Sequence, residues 1–232
     1  MRLAYATDLL ERVPELVAGA VWVDHLDNTA ANPEIDDLLS AAEALTRERF
    51  PDTPSIARFP AIAAWRGVYS RLGVKPNRYP CAAEALVRRV VETGRLPRIS
   101  PLVDLCNALS VARAIPVAPF DLTHVEGDCT VRFASGADCF LAINGREPDI
   151  VPSGEVVYAD ATEDVLSRRW NWRQADKAKV TTASTALLIT TEAVHERARE
   201  NVEAVLVELA GRIPALLGGS ARAELVVAGP AG

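Results

Sequence analysis

Glu126-Gly127-Asp128-Cys129-Thr130-Val131-Arg132-Phe133-Ala134-Ser135-Gly136-Ala137-Asp138-Cys139-Phe140-Leu141-Ala142-Ile143-Asn144-Gly145-Arg146 is the stretch on which the fold turns. Glycines stand at 127, 136 and 145, and the spacing of nine repeats once more at Gly154. Short runs rich in β-branched and aromatic residues lie between them: 129–133, 140–143 and, after Gly154, 156–158. Turn residues at regular intervals separated by short strands describe an antiparallel meander or small sandwich. Two later runs, 164–167 and 186–190, continue that texture.

Outside this region the pattern is helical. Toward the N-terminus four helices are expected, over about 33–49, 60–72, 80–93 and 101–114. Each has proline near its start, and Gly73 and Gly94 follow two of the ends. Proline just inside a helix and glycine just past it is the asymmetry of helix boundaries. An apolar run at 16–23 reads as a strand. Toward the C-terminus Val194, Ala198, Val202, Val205, Leu209 and Ile213 form a stripe, so a helix is expected over 193–217. The run 225–228 has no clear assignment. Together these features predict an α+β fold, an antiparallel sandwich-like sheet core flanked by helices, formed as a single domain over 1–232.

The chain has 232 residues, 49% hydrophobic and 24% charged, with a net charge of −6 and a pI near 5.2. That balance excludes a largely disordered chain and a protein that coats nucleic acid by bulk charge. Four cysteines without a CxxC pair fit buried thiols in a reducing compartment rather than a disulfide framework or zinc site. No signal-like leader or 18-residue apolar run is present, so a cytoplasmic protein with no membrane partner is expected. Three scattered histidines, and Arg199 where HExxH would need its second histidine, offer no metal site. Neither a GxSxG elbow, a P-loop nor a GxGxxG fingerprint occurs, and no cofactor is expected.

Charge is unevenly placed. Between Leu166 and Thr182 five basic residues, Arg168, Arg169, Arg173, Lys177 and Lys179, face one acid, Asp176, a local +4 within the −6 total. Trp170 and Trp172 lie in the same segment. On a strand they would share one face, with Asn171 and Arg173 on the other. Flat aromatic faces beside guanidinium donors suit stacking on a base with contacts to phosphate; the alternative is a core-capping tryptophan pair with solvated charges. A second segment, Ser100-Pro101-Leu102-Val103-Asp104-Leu105-Cys106-Asn107-Ala108, reads as a helix with a buried stripe of Leu102, Leu105, Cys106 and Leu109. Asn107 on its flank serves either as a structural bridge or in a polar pocket.

This second segment, followed by Ile115-Pro116-Val117-Ala118-Pro119-Phe120-Asp121-Leu122 and Val125-Glu126-Gly127, resembles the B3/B4 domain of the phenylalanyl-tRNA synthetase β subunit. Free-standing relatives of that domain share Trp65-Arg66, Tyr69, Gly73, Glu84-Ala85-Leu86 and Arg168-Arg169-Trp170-Asn171-Trp172-Arg173-Gln174. The resemblance covers about 62–190. It implies the editing fold of the synthetase, which hydrolyses tRNA mischarged with tyrosine, and a pocket for an aminoacylated tRNA 3′ end to which Asn107 contributes. Two positions depart from the synthetase. Ala118 replaces a pocket histidine, and Lys179 lies nearest the place of the glutamate that reads the tyrosine hydroxyl. Tyrosine specificity is therefore not carried over.

The expectation is a stand-alone tRNA-binding module that hydrolyses mischarged aminoacyl-tRNA in trans, with no DNA partner. Arg173, Gln174 and Lys177 would contact phosphate or an oxyanion. Trp172 would wall the pocket, with Trp170 and Lys179 beside it, and Asn107, Thr181 and Thr182 would orient the amino acid or a water. The alternatives are a non-catalytic RNA-binding module and a pocket for a free amino acid-like metabolite.

Overall fold

The computed structural model describes residues 1–229. The expected helices form as α2 (Pro33–Arg49), α4 (Pro60–Arg71), α5 (Ala82–Thr93) and α6 (Pro101–Arg113), and the sequence hid two short ones, α1 (Thr7–Arg12) and α3 (Thr53–Arg58). Proline opens α2, α4 and α6 as anticipated, and Asn32 caps α2 by accepting from the amides of Glu34 and Ile35. The fold is α+β, with largely antiparallel sheets flanked by helices.

One sheet has four strands in the order β11 (Ser220–Ala228), β2 (Val17–Asp24), β10 (Ala186–Ala193) and β3 (Val117–Asp121), all antiparallel. The unassigned run at 225–228 belongs to β11. Strand β10 runs through Ala193, paired with Val17, so α7 (Ala198–Leu217) begins five residues later than the apolar stripe suggested. Alternation along these strands sends Val21, Val23, Leu187, Ile189 and Val117 toward α7 and α6. Ala18, Ala20, Leu188 and Phe120 face the opposite way. Both faces are covered, which is why β10 reads as a nearly continuous apolar run. Against α7 the fit is close: a Cβ on Gly19 would lie 2.7 Å from Leu206 Cδ1.

The second sheet has five shorter strands, β1 (Leu3–Tyr5), β4 (Cys129–Phe133), β7 (Val156–Ala159), β8 (Val165–Arg168) and β9 (Arg173–Gln174). Only β1 and β4 run parallel. The expected strand at 140–143 shrinks to β5 (Cys139–Phe140), paired with β6 (Asp149–Ile150). Gly154, with φ +85°, makes the turn into β7, as its place in the nine-residue spacing required. Phe120 from the first sheet stacks on Tyr158 from the second, ring centroids 5.3 Å apart, so the sheets face each other. Helices α5 and α6 close one side of the gap between them, and the site lies there. Among the described residues no helix is long and apolar enough to cross a membrane, and no three His, Cys, Asp or Glu side chains converge as metal ligands.

Candidate functional site

A cavity of about 410 Å³ lies between the sheets. Ala85 and Leu86 of α5, Val103 of α6, and Ala118 and Phe120 of β3 supply apolar wall. Asn107 enters from α6, and Trp172, Arg173, Gln174 and Lys179 enter from β9 and its flanks. At the deep end stand Tyr158, Ser167, Asn171, Thr190 and Glu192. Ala118 pairs with Thr190 across the β3–β10 ladder, so the small side chain opens the first sheet toward the cavity.

The two tryptophans do not share a face. Arg169 and Trp170 both have positive φ, 46° and 62°, and form a tight turn between β8 and β9. Ser167 Oγ holds the turn by donating to the carbonyls of Trp170 and Arg173, at 2.7 and 3.2 Å. Strand alternation fails there, and the indoles part. Trp170 is 1% exposed and packs edge-on against Trp65 in the core, while Trp172 remains half-buried at the cavity.

The basic segment also divides. Arg168 and Arg169 pair with Glu155, and Lys177 is held by Asp160 and Asp164 at 2.8 and 2.6 Å, away from the cavity. Burial pushes the Asp160 carboxyl up, but Lys177 and the donors of Glu126 and Thr162 outweigh it and leave the pKa lowered. Among the described residues Arg173 and Lys179 have no carboxylate at ion-pair distance. The +4 counted along the chain is therefore not a basic patch; two cations remain, both lining the cavity. Gln174 Nε2 donates to the carbonyls of Pro119 and Ala178 at 2.8 and 2.9 Å, tying β9 to β3. Its Oε1 is left as an acceptor, so it cannot serve as the phosphate or oxyanion donor expected of it. Thr181 and Thr182 do not line this cavity. Asn28 donates to the Thr181 carbonyl, and Thr182 sits in a separate cleft with Pro33 and Asp104.

Behind the cavity is a group the sequence did not disclose. Glu192 is 1% exposed, and its Oε1 accepts from Tyr5 Oη and Trp170 Nε1, both at 2.8 Å. Its Oε2 accepts from Asn171 Nδ2 at 3.2 Å, and Asn171 Oδ1 in turn accepts from Tyr69 Oη at 2.8 Å. Burial raises the Glu192 pKa against the lowering effect of donors from Trp170, Tyr158, Tyr5 and Asn171. Burial likewise raises the hydroxyls of Tyr5, Tyr69 and Tyr158, so these phenols stay protonated donors. An acid inside the run Leu187-Leu188-Ile189-Thr190-Thr191-Glu192-Ala193 was the available signal.

The B3/4 domain profile matches residues 64–205, more than half of the chain and every residue lining this cavity. The chain belongs to the B3/4 domain family. Phenylalanine–tRNA ligase β subunits are similar to it: that of Nitrobacter winogradskyi is 30% identical over 181 residues, 68% of this chain and 21% of its own length. Those of Bradyrhizobium diazoefficiens and Chromobacterium violaceum are 35% and 32% identical over 85 and 77 residues, 37% and 33% of this chain. In each of the latter pair the match spans 10% of the relative, so this B3/4 chain corresponds to a small part of those proteins. An N-terminal fragment of the phenylalanyl-tRNA synthetase β subunit from Pyrococcus horikoshii aligns over 95% of this chain and 50% of that one, at 13% identity and a TM-score of 0.43.

Proposed function

We propose that this B3/4 protein takes the aminoacylated 3′ end of a tRNA into the inter-sheet cavity and hydrolyses the ester in trans. One observation carries the reading: Arg173 and Lys179, the two cations of the segment without carboxylate partners among the described residues, line one cavity with Trp172, Asn107 and the apolar wall from α5, α6 and β3. Such a site suits an amphiphile with an apolar body and an anionic or strongly accepting end. Arg173 and Lys179 would hold phosphate or the ester oxygen as charge develops on it, and Asn107 would orient the amino acid or the attacking water. Water adds to the ester carbonyl carbon, the bond to the ribose oxygen breaks, and that oxygen leaves with a proton. Similarity to the β subunits supports tRNA as the class of partner. A deacylation panel of mischarged tRNAs tests this; no turnover above buffer for any pair would sink it.

A second reading, a pocket for a free amino acid-like metabolite, is favoured by the neutralisation of Arg168, Arg169 and Lys177. It predicts thermal stabilisation by the small ligand without retention of tRNA in a mobility shift.

A further inference from the structure

A ribbon of flat and cationic side chains leaves the cavity mouth and crosses to the loop between α4 and α5. The Arg173 guanidinium lies 5.7 Å from the Trp172 ring centroid, and that of Arg169 lies 4.7 Å from the same ring. Arg169 also stands 4.0 Å from the centroid of Tyr79, whose ring meets Trp172 edge-on at 4.9 Å. Arg78 lies 5.2 Å from the Tyr79 centroid on the far side of the run. There a second cleft, of about 330 Å³, is lined by Lys75, Arg78, Tyr79, Glu155 and Arg169. Glu155, the carboxylate of that cleft, already accepts from Arg168 Nε at 2.8 Å and pairs with Arg169. Lys75 and Arg78 are exposed and, among the described residues, have no ion-pair partner. The loop is held in shape: the amides of Arg78 and Tyr79 donate to the Lys75 carbonyl at 3.0 and 2.9 Å, and that of Val74 to Tyr69 at 2.8 Å.

We infer that this ribbon is a track for single-stranded RNA, carrying the unpaired nucleotides next to the end held in the cavity. The inference rests on the proposed function for the direction of the strand. Bases stack on aromatic rings and on guanidinium planes alike, and this run alternates the two. Trp172 and Tyr79 stand at 76° to each other, so successive bases turn a corner rather than form one continuous stack. Lys75 and Arg78 then meet the phosphates beyond the corner. A duplex, whose interior bases are already stacked and paired, offers this surface only the faces of its two end pairs.

Fluorescence anisotropy with a labelled, unacylated ten-nucleotide single strand ending in the tRNA 3′ sequence tests the track. The wild type should bind it more tightly than the same strand in a blunt duplex. The variant Lys75→Glu/Arg78→Glu removes only the Arg78 contact with the Tyr79 ring and no side-chain hydrogen bond or ion pair of the described residues, and it should weaken binding at least tenfold at 0.1 M salt, with a shallower salt dependence. Tyr79→Ala should cost roughly 5- to 100-fold, the range for one stacked base, and Tyr79→Phe should restore it. A charge-matched control, Arg197→Glu/Arg199→Glu before and at the start of α7, should bind as the wild type does. Equal affinity for strand and duplex, or K75E/R78E binding like the wild type, overturns the track. Binding with these losses but no ester hydrolysis by the wild type upholds the track and removes the hydrolase reading. Hydrolysis of whole aminoacyl-tRNA without any binding of the single strand does the reverse.

Discussion

Trp170 and Trp172 stand two positions apart, yet they belong to regions built on opposite terms. The wall behind the cavity, made by Trp170, Asn171, Glu192, Tyr5 and Tyr69, is closed on itself: its named donors and acceptors meet protein partners at 2.8–3.2 Å. The rim, with Trp172, Arg173, Lys179 and Asn107, directs polar groups at a cavity. The wall spends its polarity on holding one geometry, and the rim keeps its own for something outside the protein. A tryptophan and an asparagine stand in each, so those residue types alone do not distinguish the two; the turn at Arg169 and Trp170 does.

The contrast predicts effects of different kind and size. Trp170→Ala should be the most damaging change, about 3–5 kcal/mol of stability from the vacated volume and the donor lost to Glu192. Thermal unfolding should register it as a fall in Tm of roughly 10 °C; a fall of only a degree or two would mean that the wall is not the rigid part. Arg173→Glu/Lys179→Glu should instead leave the melting curve within about 0.5 kcal/mol of wild type. The same variant should reduce tRNA-end binding tenfold or more in a filter-binding titration, and a large melting loss with intact binding would reverse the two assignments. Trp172→Ala should fall between, costing about 1 kcal/mol of stability while weakening the ligand by roughly 5- to 100-fold.

The smallest effect concerns pH. Glu192 has a raised pKa in the folded state, so the native protein binds a proton that the unfolded chain, at the ordinary value of 4.5, has released. Stability from this group therefore rises as pH falls through the raised value toward 4.5 and declines as pH rises. Glu192→Gln, a neutral mimic, should gain on the wild type at pH 8 and lose that advantage near pH 5, as read from paired denaturant titrations. Parallel curves at all pH values would show that the carboxylate does not titrate in that window.

How much of this was legible depended on whether local chemistry or distant packing decided each element. The starts of α2, α4 and α6 were readable because proline at a first-turn position acts within a few residues. Strand β2 and the first half of β10 were readable because their apolar residues fall on both faces. The two-residue strands β5, β6 and β9 carry no period to detect and exist only through their pairing partners. Asn107, Trp172, Arg173 and Lys179 were singled out by residue type and do line the cavity. Lys177 was chosen by the same criterion, but Asp160 and Asp164 lie 17 and 13 positions earlier in the chain, and nothing local announces their capture of it. Tyr79 and Lys75 escaped notice because the folding that brings them to Trp172 spans about 90 residues.

Strand β2 lies between β10 and β11, hydrogen-bonded to chain nearly 170 and 200 positions later, and Tyr5 reaches across to Glu192. Such separations make assembly of the first sheet a late and slow event, since the entropy of closing so long a loop opposes it. Until β11 has been synthesised, β2 has one exposed edge. The segment 64–205 that defines the family, cut out alone, would lose β1, β2, β11 and the Tyr5 hydroxyl together. The cavity thus depends on the two ends of the chain meeting, although neither end contributes a residue to its rim.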